Sequence, residues 1–475
     1  MPVQQLPLIK GTGKDFAEAD YIDAIPVNML ATPRELPSAA GYMRSFPGIK
    51  KRADVEGKSR GVIYNTRENI LYRVLGGRVY RGEKIIGYAQ GGGRVSLACS
   101  ATSQAVATNG EMILFRYDDT VKWLENWPEK GDGVEYAQYE IGSVRDICRA
   151  GARYVWIKDG SDLFGVTDLE DESHPDRFRP FYRANSQPDG IRAVAEWKGF
   201  IVCFGSSSIE YFSLTGATGA TSPLYVANNS LTVNKGIAGT HCKAPFAGAY
   251  AFISSAASGL PSVYLVDAGQ LQKIATPTIE RVLRSYTADE LATSSLESLS
   301  LDAHELLIMH LPRHTLCYDM SASQNGPQWC LLKSGVGDDV YRGIDFHYDG
   351  SAITVGDKEL PVLGELSFDI SSQYDSPTEH LLFTPMIKVP DKRLFDFEVE
   401  AITGFTGDDE RFFLSTTFDG LTFGREVMVP YSRRHQYDRR IRWARIGRVR
   451  RNVGFKLRFV SLAPLSVSGC TVRIE

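Results

Sequence analysis

The sequence lacks the features that mark several large classes of protein. Its seven cysteines are scattered singly and no CxxC pair occurs, which argues against a disulfide scaffold and favours free thiols in a reducing compartment. No apolar run approaches the roughly 18 to 20 residues that span a membrane, and the N-terminal residues show no signal-peptide pattern. The net charge of −4 argues against a generally basic nucleic-acid coat. We therefore expect a protein that is made in the cytosol and does not insert into membranes.

A recognisable catalytic or metal-binding constellation is also missing. The histidines 304, 310 and 314 cluster in sequence but flank a turn around Pro312, so we expect ordinary strand-end side chains. Ser206, Ser207 and Ser208 lie between two apolar runs without the GxSxG pattern of a nucleophile elbow, which favours a simple turn. Residues 417–423, TFDGLTF, resemble an Asp-box, in which the aspartate caps a hairpin. The sequence predicts no enzyme, no cofactor and no metal site.

What the sequence has in abundance is short apolar runs separated by turns. Residues 191–216 hold three such runs, and the middle one, residues 200–204, has no polar residue. A run without alternation between Gly and Ser turns is typical of a strand that is buried on both faces. A unit of this size cannot bury both its faces alone. Neighbours of the same kind are therefore expected.

Similar units recur along the chain. They begin at residues 61, 95, 144, 191, 239, 296 and 341. A repeat of roughly 40 to 50 residues made of short strands is typical of a β-propeller with one sheet per blade. We expect an all-β, irregular propeller of about seven blades, with six as the alternative, and a short helical insertion after the fifth unit, where Thr287 and Glu290 form a potential capping box.

Outside the repeats the chain changes character. Residues 1–40 are punctuated by Pro and Gly with weak periodicity, which predicts an extended N-terminal arm. Residues 372–475 alternate strictly between apolar and polar side chains, which indicates antiparallel strands with one wet face. The predicted organisation is an arm over 1–40, a β-propeller over 41–371 and a β-sandwich or jelly-roll-like domain over 372–475.

The sharpest local signal is a basic run at residues 433–451, RRHQYDRRIRWARIGRVRR. It contains nine arginines, no lysine and a single acid, Asp438. Planar guanidinium groups recognise carboxylates and phosphates by paired hydrogen bonds, so the run predicts a patch against DNA or an acidic partner. A solvated strand face whose arginines pair with acids of the same domain explains it equally well. The arginines are Arg433, Arg434, Arg439, Arg440, Arg442, Arg445, Arg448, Arg450 and Arg451.

Seven segments spread over nearly the whole chain resemble one known family. They are PVNMLAT (26–32), RSFPGI (44–49), TDLEDESHPDR (167–177), VCFGSSSIEYFSLTGAT (202–218), HELLIMHLPRH (304–314), SQNGPQWC (323–330) and FDISSQYD (368–375). On these segments the sequence resembles the tail hub of short-tailed phages, also called the packaged-DNA stabilisation protein or tail accessory factor.

The resemblance implies a structural virion protein without catalytic residues. Family members form a hexameric ring under the portal–adaptor ring, retain packaged double-stranded DNA, anchor the tail needle and the tailspikes, and form part of the ejection channel. The implied location is the virion tail, after assembly in the host cytoplasm. The Ser206–Ser208 turn then becomes a candidate assembly loop. A protein partner is favoured for the arginine run, because ejected DNA must slide and multiple phosphate contacts would hold it.

Two alternatives of other classes remain at this point. One is a propeller glycosidase that acts on host surface polysaccharide, which would need two carboxylates converging at the propeller mouth. The other is a carbohydrate-binding adhesion protein. Hydrolysis of the polysaccharide would distinguish the first alternative, and glycan binding would distinguish the second.

Overall fold

The computed structural model describes residues 3–6, 8–9, 24–36, 39–118, 141–169, 171–176, 178–217, 222–403, 410–431 and 435–475. Nearly all regular structure in this part of the chain is β-strand, arranged as a ring of sheets followed by a two-sheet sandwich. The first strands in chain order are β1 (Val3–Leu6), β2 (Met29–Leu36), β3 (Ala39–Ser45) and β4 (Gly48–Asp54).

Seven antiparallel sheets form the ring. The first strands of successive sheets contact one another along most of the ring, the fourth and fifth sheets share an apolar cluster, and the first strand of the seventh sheet contacts that of the first. The first sheet consists of β5 (Ser59–Asn65), β6 (Ile70–Leu75), β7 (Arg78–Arg81) and β8 (Lys84–Tyr88), and the second of β9 (Ser96–Cys99), β10 (Ser103–Thr108) and β11 (Glu111–Arg116). The third consists of β12 (Val144–Ala150), β13 (Arg153–Lys158), β14 (Leu163–Val166) and β15 (Phe181–Arg183), and the fourth of β16 (Ile191–Trp197), β17 (Phe200–Gly205), β18 (Ile209–Leu214) and β19 (Tyr225–Ala227).

The fifth and sixth sheets flank the helical insertion, and the seventh sheet completes the ring. The fifth sheet consists of β20 (Lys243–Phe246), β21 (Ala249–Ile253), β22 (Val263–Asp267) and β23 (Gln270–Lys273), and the insertion of the helices α1 (Pro277–Arg284) and α2 (Ala288–Ala292). The sixth sheet consists of β24 (Ser295–Leu301), β25 (His304–His310), β26 (Thr315–Asp319) and β27 (Gln328–Leu332), and the seventh contains β28 (Gly343–Tyr348), β29 (Ile353–Asp357) and β30 (Val362–Ser367). The predicted helical insertion is confirmed, with Thr287 and Glu290 in a reciprocal capping box.

The repeats predicted from sequence correspond to these sheets. Each predicted start lies within a few residues of the first strand of a sheet, from Ser59 to Gly343. The all-β propeller is confirmed, and the count within the described residues is seven sheets. Apolar clusters fill the spaces between adjacent sheets, and Phe204, Phe252 and Leu307 are completely buried in the largest of them. This explains why the apolar runs do not alternate, because both faces of each sheet are covered.

The ring is closed by a strand from outside the repeats. Strand β4 pairs antiparallel with β30 as the fourth strand of the seventh sheet, with Ile49 opposite Leu366 and Asp54 opposite Val362. Without β4, that sheet would expose a row of unpaired backbone groups. The N-terminal part of the chain therefore completes a sheet that begins almost 300 residues later.

The C-terminal strands form the sandwich with β1, β2 and β3. Its strands are β31 (Thr378–Phe383), β32 (Ile387–Lys388), β33 (Lys392–Ala401), β34 (Arg411–Thr417), β35 (Val427–Pro430), β36 (Ile441–Val449), β37 (Asn452–Ser461) and β38 (Ser466–Ile474). One sheet runs β2-β3-β38-β33-β36, with β1 also pairing β38, and the other runs β31-β37-β34-β35, with β32 also pairing β37. Phe397, Phe412 and Phe455 pack between the two sheets.

The segment predicted as an extended arm over 1–40 differs from that expectation where it is described. Strand β1 pairs with Cys470–Arg473 of β38, and β2 forms a hairpin with β3 in the same sheet. The physical reason is burial, because Leu6, Met29 and Ala31 belong to the sandwich core. Leu30, pointing the opposite way, packs instead among the apolar residues of the sixth and seventh sheets.

Asn28 joins the ring to the sandwich. Its side-chain amide donates to the carbonyl of Lys333 at 3.1 Å and to that of Glu379 at 2.8 Å, and its Oδ1 accepts from the Lys333 N–H at 2.9 Å. The neighbouring Val27 exchanges backbone hydrogen bonds with Leu381. Asn28 has a φ of 53°, a conformation that asparagine tolerates better than most residues. Both its backbone conformation and its side chain therefore favour asparagine.

Replacing Asn28 with alanine should destabilise the full chain by about 2–4 kcal/mol, because one buried and two partly buried hydrogen bonds are lost. Asn69→Ala is the matched control, since Asn69 has a similar φ of 57° but lies exposed in a turn. Denaturant unfolding of both variants measures the difference. Equal losses would contradict the assignment, because they would reflect backbone strain alone.

The fully buried His380 gives the sandwich a pH dependence. Its ring stacks on Phe459 at 5.1 Å between centroids, and burial lowers the pKa of His380 to about 4. Because the unfolded chain takes up this proton near pH 6.5, stability should fall as the pH drops from 6.5 towards 4, by about 3 kcal/mol at most. His380→Phe, which keeps the stack, should show a smaller loss of thermal stability between pH 7 and pH 5. The prediction fails if both proteins lose stability in parallel.

Candidate interaction surfaces

The candidate assembly loop, Ser206–Ser208, is the turn that follows strand β17. Asp189 organises it by accepting from the N–H of Ser207 at 2.6 Å, from the N–H of Ser208 at 3.1 Å and from the Ser208 hydroxyl at 3.1 Å. Ser208 is buried, while Ser206 and Ser207 are partly exposed. Gly236 packs so closely on this turn that a Cβ would lie 2.0 Å from the carbonyl carbon of Ser206. The loop is thus rigid, with only two of its serines accessible.

The central part of the arginine run is strand β36. Ile441 and Trp443 point into the sandwich core, 1% and 3% exposed, as the alternation predicts. The intervening Arg442 pairs with the buried Asp396, and Arg440 makes two hydrogen bonds of 2.6 and 2.5 Å with Glu398 on β33. The hydrogen bonds from Arg440 help to hold the pKa of Glu398 below its usual value. These two arginines therefore serve the sheet itself.

The end of the run lies on a different surface. The turn between β36 and β37 carries Arg450 and Arg451. It contacts the turn between β32 and β33 through backbone hydrogen bonds, such as the one from Val389 N–H to Arg451 O at 2.9 Å. We call the six exposed cations of these two turns and of the strand ends beside them the basic corner. It consists of Lys388, Lys392, Arg393, Arg448, Arg450 and Arg451.

Few acids compensate the basic corner. Arg448 lies 3.6 Å from Asp391, and both side chains are more than two thirds exposed. Glu475 is held beside Arg393 by paired backbone hydrogen bonds. Arg450 and Arg451 form no ion pair within the part of the chain that the structure describes. An exposed excess of positive charge at one edge is suited to binding an anionic surface.

The other described arginines of the run, Arg439 and Arg445, lie outside the basic corner. Arg433 and Arg434 lie outside the described residues. Arg439 is half-buried, and Arg445 is exposed with a φ of 61° at an irregularity of β36. The structure thus divides the predicted patch into two groups. Arg440 and Arg442 bind acids of the sheet, whereas Arg448, Arg450 and Arg451 belong to the exposed basic corner.

The histidine cluster and the Asp-box-like turn are structural. His304 pairs with Asp319 at 2.5 Å, His310 with Glu297, and His314 with the Tyr286 hydroxyl at 2.5 Å. In the hairpin after β34, Asp419 accepts from the N–H groups of Leu421 and Thr422. Among the described residues, no group of three or more His, Cys, Asp or Glu side chains could hold a metal ion. None of the helices in the described segments is long and apolar enough to cross a membrane.

Sequence reasoning missed three carboxylates on the first strands of their sheets, of which Asp146 and Asp345 are buried and Glu297 is partly buried. Asp146 accepts from Val194 N–H at 2.9 Å and from Lys243 at 2.8 Å, on the two following sheets. Asp345 accepts from Ser59 and from Arg94, both at 2.6 Å, and Glu297 accepts from Phe346 N–H at 3.1 Å. The available signal was a single acid inside each of these first strands.

These carboxylates differ in protonation. Burial opposes ionisation of Asp345, but the charge and hydrogen bond of Arg94 outweigh it and hold the pKa of Asp345 below its usual value. Burial and the nearby Asp345 charge raise the pKa of Glu297 to about 8. The carboxylates connect neighbouring sheets around the axis and do not form an open pair at a cleft.

Comparison with solved structures finds only low sequence identity among the matches described next. The β-propeller domain of Cps50 (Swd1) from Myceliophteria thermophila is 8% identical, with 67% of this chain and 99% of that chain covered and a TM-score of 0.39. The exo-β-1,3-galactanase of Phanerochaete chrysosporium is 10% identical, with 80% and 95% covered and a TM-score of 0.30. Similarity this low carries no argument about function.

Sequence comparison gives a specific result. The family model described as "Bacteriophage P22 Gp10, beta-propeller" matches residues 4–371, and the model described as "Bacteriophage P22 Gp10, beta-sandwich" matches residues 379–475. The "Tail hub protein gp10" of Salmonella phage P22 is 59% identical over 475 residues, which is 100% of both chains. The propeller and sandwich described above therefore belong to a member of the bacteriophage P22 Gp10 family.

Proposed function

We propose that this protein is the tail hub of a short-tailed phage, a structural component of the virion tail without enzymatic activity. The observation that carries the proposal is the 59% identity, over the full length of both chains, with the tail hub protein of phage P22. The fold supports such a role. A closed ring of sheets joined to a sandwich is a rigid block with loops on several surfaces, and large assemblies need such surfaces.

The finer parts of the proposal concern the assembly. The protein forms a hexameric ring under the portal–adaptor ring, retains packaged double-stranded DNA, anchors the tail needle and tailspikes, and lines part of the ejection channel. It folds in the host cytoplasm before joining the particle. The partly exposed Ser206 and Ser207 lie on a turn that Asp189 holds rigid, which suits a contact surface in this assembly.

The basic corner is proposed to bind an acidic surface of a protein partner. Its exposed arginines project from two turns at one end of the sandwich. Guanidinium groups on such an edge pair well with carboxylates. A DNA contact at the same place would retard the sliding of the genome, because each neutralised phosphate contributes to retention.

The hub role predicts that particles assembled without this protein lose their DNA. Adding the purified full chain to freshly packaged particles that lack only this component, before their DNA is lost, should keep the DNA nuclease-resistant and allow needle attachment. Both can be measured on sedimented particles. Particles that keep their DNA and accept the needle without the protein would contradict the proposal.

For the basic corner, Arg448→Ala/Arg450→Ala/Arg451→Ala should weaken assembly onto particles by at least about tenfold, with the largest effect at low salt, where charge interactions are least screened. Arg439→Ala/Arg440→Ala/Arg445→Ala is the matched control, since it removes the same charge from elsewhere in the run. Quantitative co-sedimentation measures both. Unchanged assembly of the first variant would indicate a solvated face, and normal assembly with loss of DNA would indicate a DNA contact instead.

A further inference from the structure

A cavity of about 290 Å³ lies between the sixth and seventh sheets of the ring. It lies at the side of the ring where the first strands begin, since Ser295 and Gly343 begin β24 and β28. Six of its lining residues bear on its chemistry. They are Arg94, His310, Tyr341, Arg342, Lys358 and Glu359.

The lining carries an unusual number of unused hydrogen-bond donors. The atoms Nε and Nη1 of Arg94, Nε of Arg342 and the hydroxyl of Tyr341 are all hidden from solvent and have no hydrogen-bond partner among the described residues. Tyr341 is completely buried and His310 is 95% buried. Because each buried unpaired donor costs about 1–3 kcal/mol, the donors of Arg94 and Tyr341 indicate an acceptor that the protein itself does not supply.

The nearby carboxylates already have other partners. Asp345 is occupied by Ser59 and by Nη2 of Arg94, and Glu297 by Phe346 N–H and His310. Asp357 Oδ1 accepts from the N–H groups of Glu359 and Leu360, whereas its Oδ2 has no hydrogen-bond partner among the described residues and forms an ion pair with Nε of Arg342 at 3.7 Å. Glu359 is exposed at the rim.

Lys358, which also lines the cavity, has a hydrogen-bond donor left over. Its ammonium donates to the Thr315 hydroxyl at 3.0 Å and to the Tyr341 carbonyl at 2.8 Å. Since an ammonium has three donors, one remains. Burial, opposed in part by Glu297 and reinforced by Arg94, lowers the pKa of Lys358 to about 7. A bound anion would favour the charged form of this amine.

We propose that this cavity binds phosphate or a phosphomonoester group, held by Arg94, Arg342 and Lys358 with a hydrogen bond from the Tyr341 hydroxyl. The donors reach the cavity from the segment before β9 and from the end of the seventh sheet where β28 begins and β29 ends. A tetrahedral oxyanion can accept from several directions at once, whereas a planar carboxylate is best matched by a single guanidinium fork. At roughly 30 Å³ per water molecule, the cavity has room for phosphate and a few waters.

The bound group would have a structural effect. It would connect the segment carrying Arg94, which follows the first sheet, to the seventh sheet, next to the place where β4 closes the ring. Phosphate should therefore raise the thermal stability of the ring. This inference rests on the cavity alone and is independent of the proposed function.

The test compares the full chain in sodium phosphate, sodium malonate and sodium chloride at equal ionic strength and pH 7. Phosphate should raise the melting temperature in a saturable manner, as expected for a ligand that binds only the folded state, and malonate should raise it less. Isothermal titration with phosphate gives the affinity. No saturable effect of phosphate beyond chloride, or an equal effect of malonate, would overturn the proposal.

Tyr341→Phe locates the effect. Because the Tyr341 hydroxyl has no partner among the described residues, its removal should leave the stability in chloride unchanged or slightly higher, while phosphate binding weakens about fivefold, the equivalent of one hydrogen bond. Tyr154→Phe is the control, since it removes a buried hydroxyl that donates to Ser103 O at 2.8 Å in another part of the ring. It should lose stability but keep the full phosphate response. An unchanged phosphate response in Tyr341→Phe would overturn the proposal.

Discussion

The backbone pairing of β4 with β30 is the constraint on which the rest of the architecture depends. Neighbouring sheets of the ring bury one another's faces, so that no sheet is stable alone, and the seventh sheet has its fourth strand only through residues Gly48–Asp54. Ile49 also exchanges hydrogen bonds with Ser372 and Tyr374, in the segment that leads to the sandwich. Ring closure and the connection between the domains are thus made by the same short stretch of chain.

The residues that precede β4 in the chain belong to the sandwich. Asn28 binds the end of the sixth sheet and the first C-terminal strand, and β2 and β3 are members of a sandwich sheet. Met29 and Leu30, adjacent in sequence, contribute to the sandwich core and the ring core respectively. A hub that must transmit load between several partners benefits from such shared elements, because separation of the domains would break backbone pairing on both sides.

At the centre of the ring, polar contacts replace apolar packing. Asp146, Asp345 and Glu297 each bond to groups on other sheets. Buried carboxylates destabilise unless they are paired and hydrogen-bonded, so they impose a fixed relation between the sheets that they connect. The oxyanion proposed for the neighbouring cavity would extend this arrangement to Arg342 and Lys358, two cations that the carboxylates leave incompletely matched.

The parts of the fold that follow a local pattern were predictable. Runs such as residues 200–204 indicated sheets covered on both faces, and their spacing indicated a propeller; Thr287 and Glu290 located the helical insertion. The pairing of β4 with β30 and of β1 with β38 was not predictable, because the sequence of a short polar strand does not indicate which strand hundreds of residues away it pairs with. Phe395 shows the same limit locally. Alternation placed it in the core, but a bulge at 394–396 leaves it 36% exposed and buries Asp396.

For the candidate surfaces, the sequence showed where the positive charge is concentrated but not how it is divided. Arg440 and Arg442 meet acids on β33, a strand about 40 residues earlier in the chain, whereas Arg450 and Arg451 do not. The sequence shows that the run is positively charged, but which of its arginines are neutralised depends on tertiary contacts.

A cryo-electron microscopy map of the intact tail tests the central claim most directly. The account predicts the seven-sheet ring, closed by Gly48–Asp54, with the basic corner against an acidic surface of another protein chain; its absence from the tail, or a basic corner facing the DNA, would contradict it.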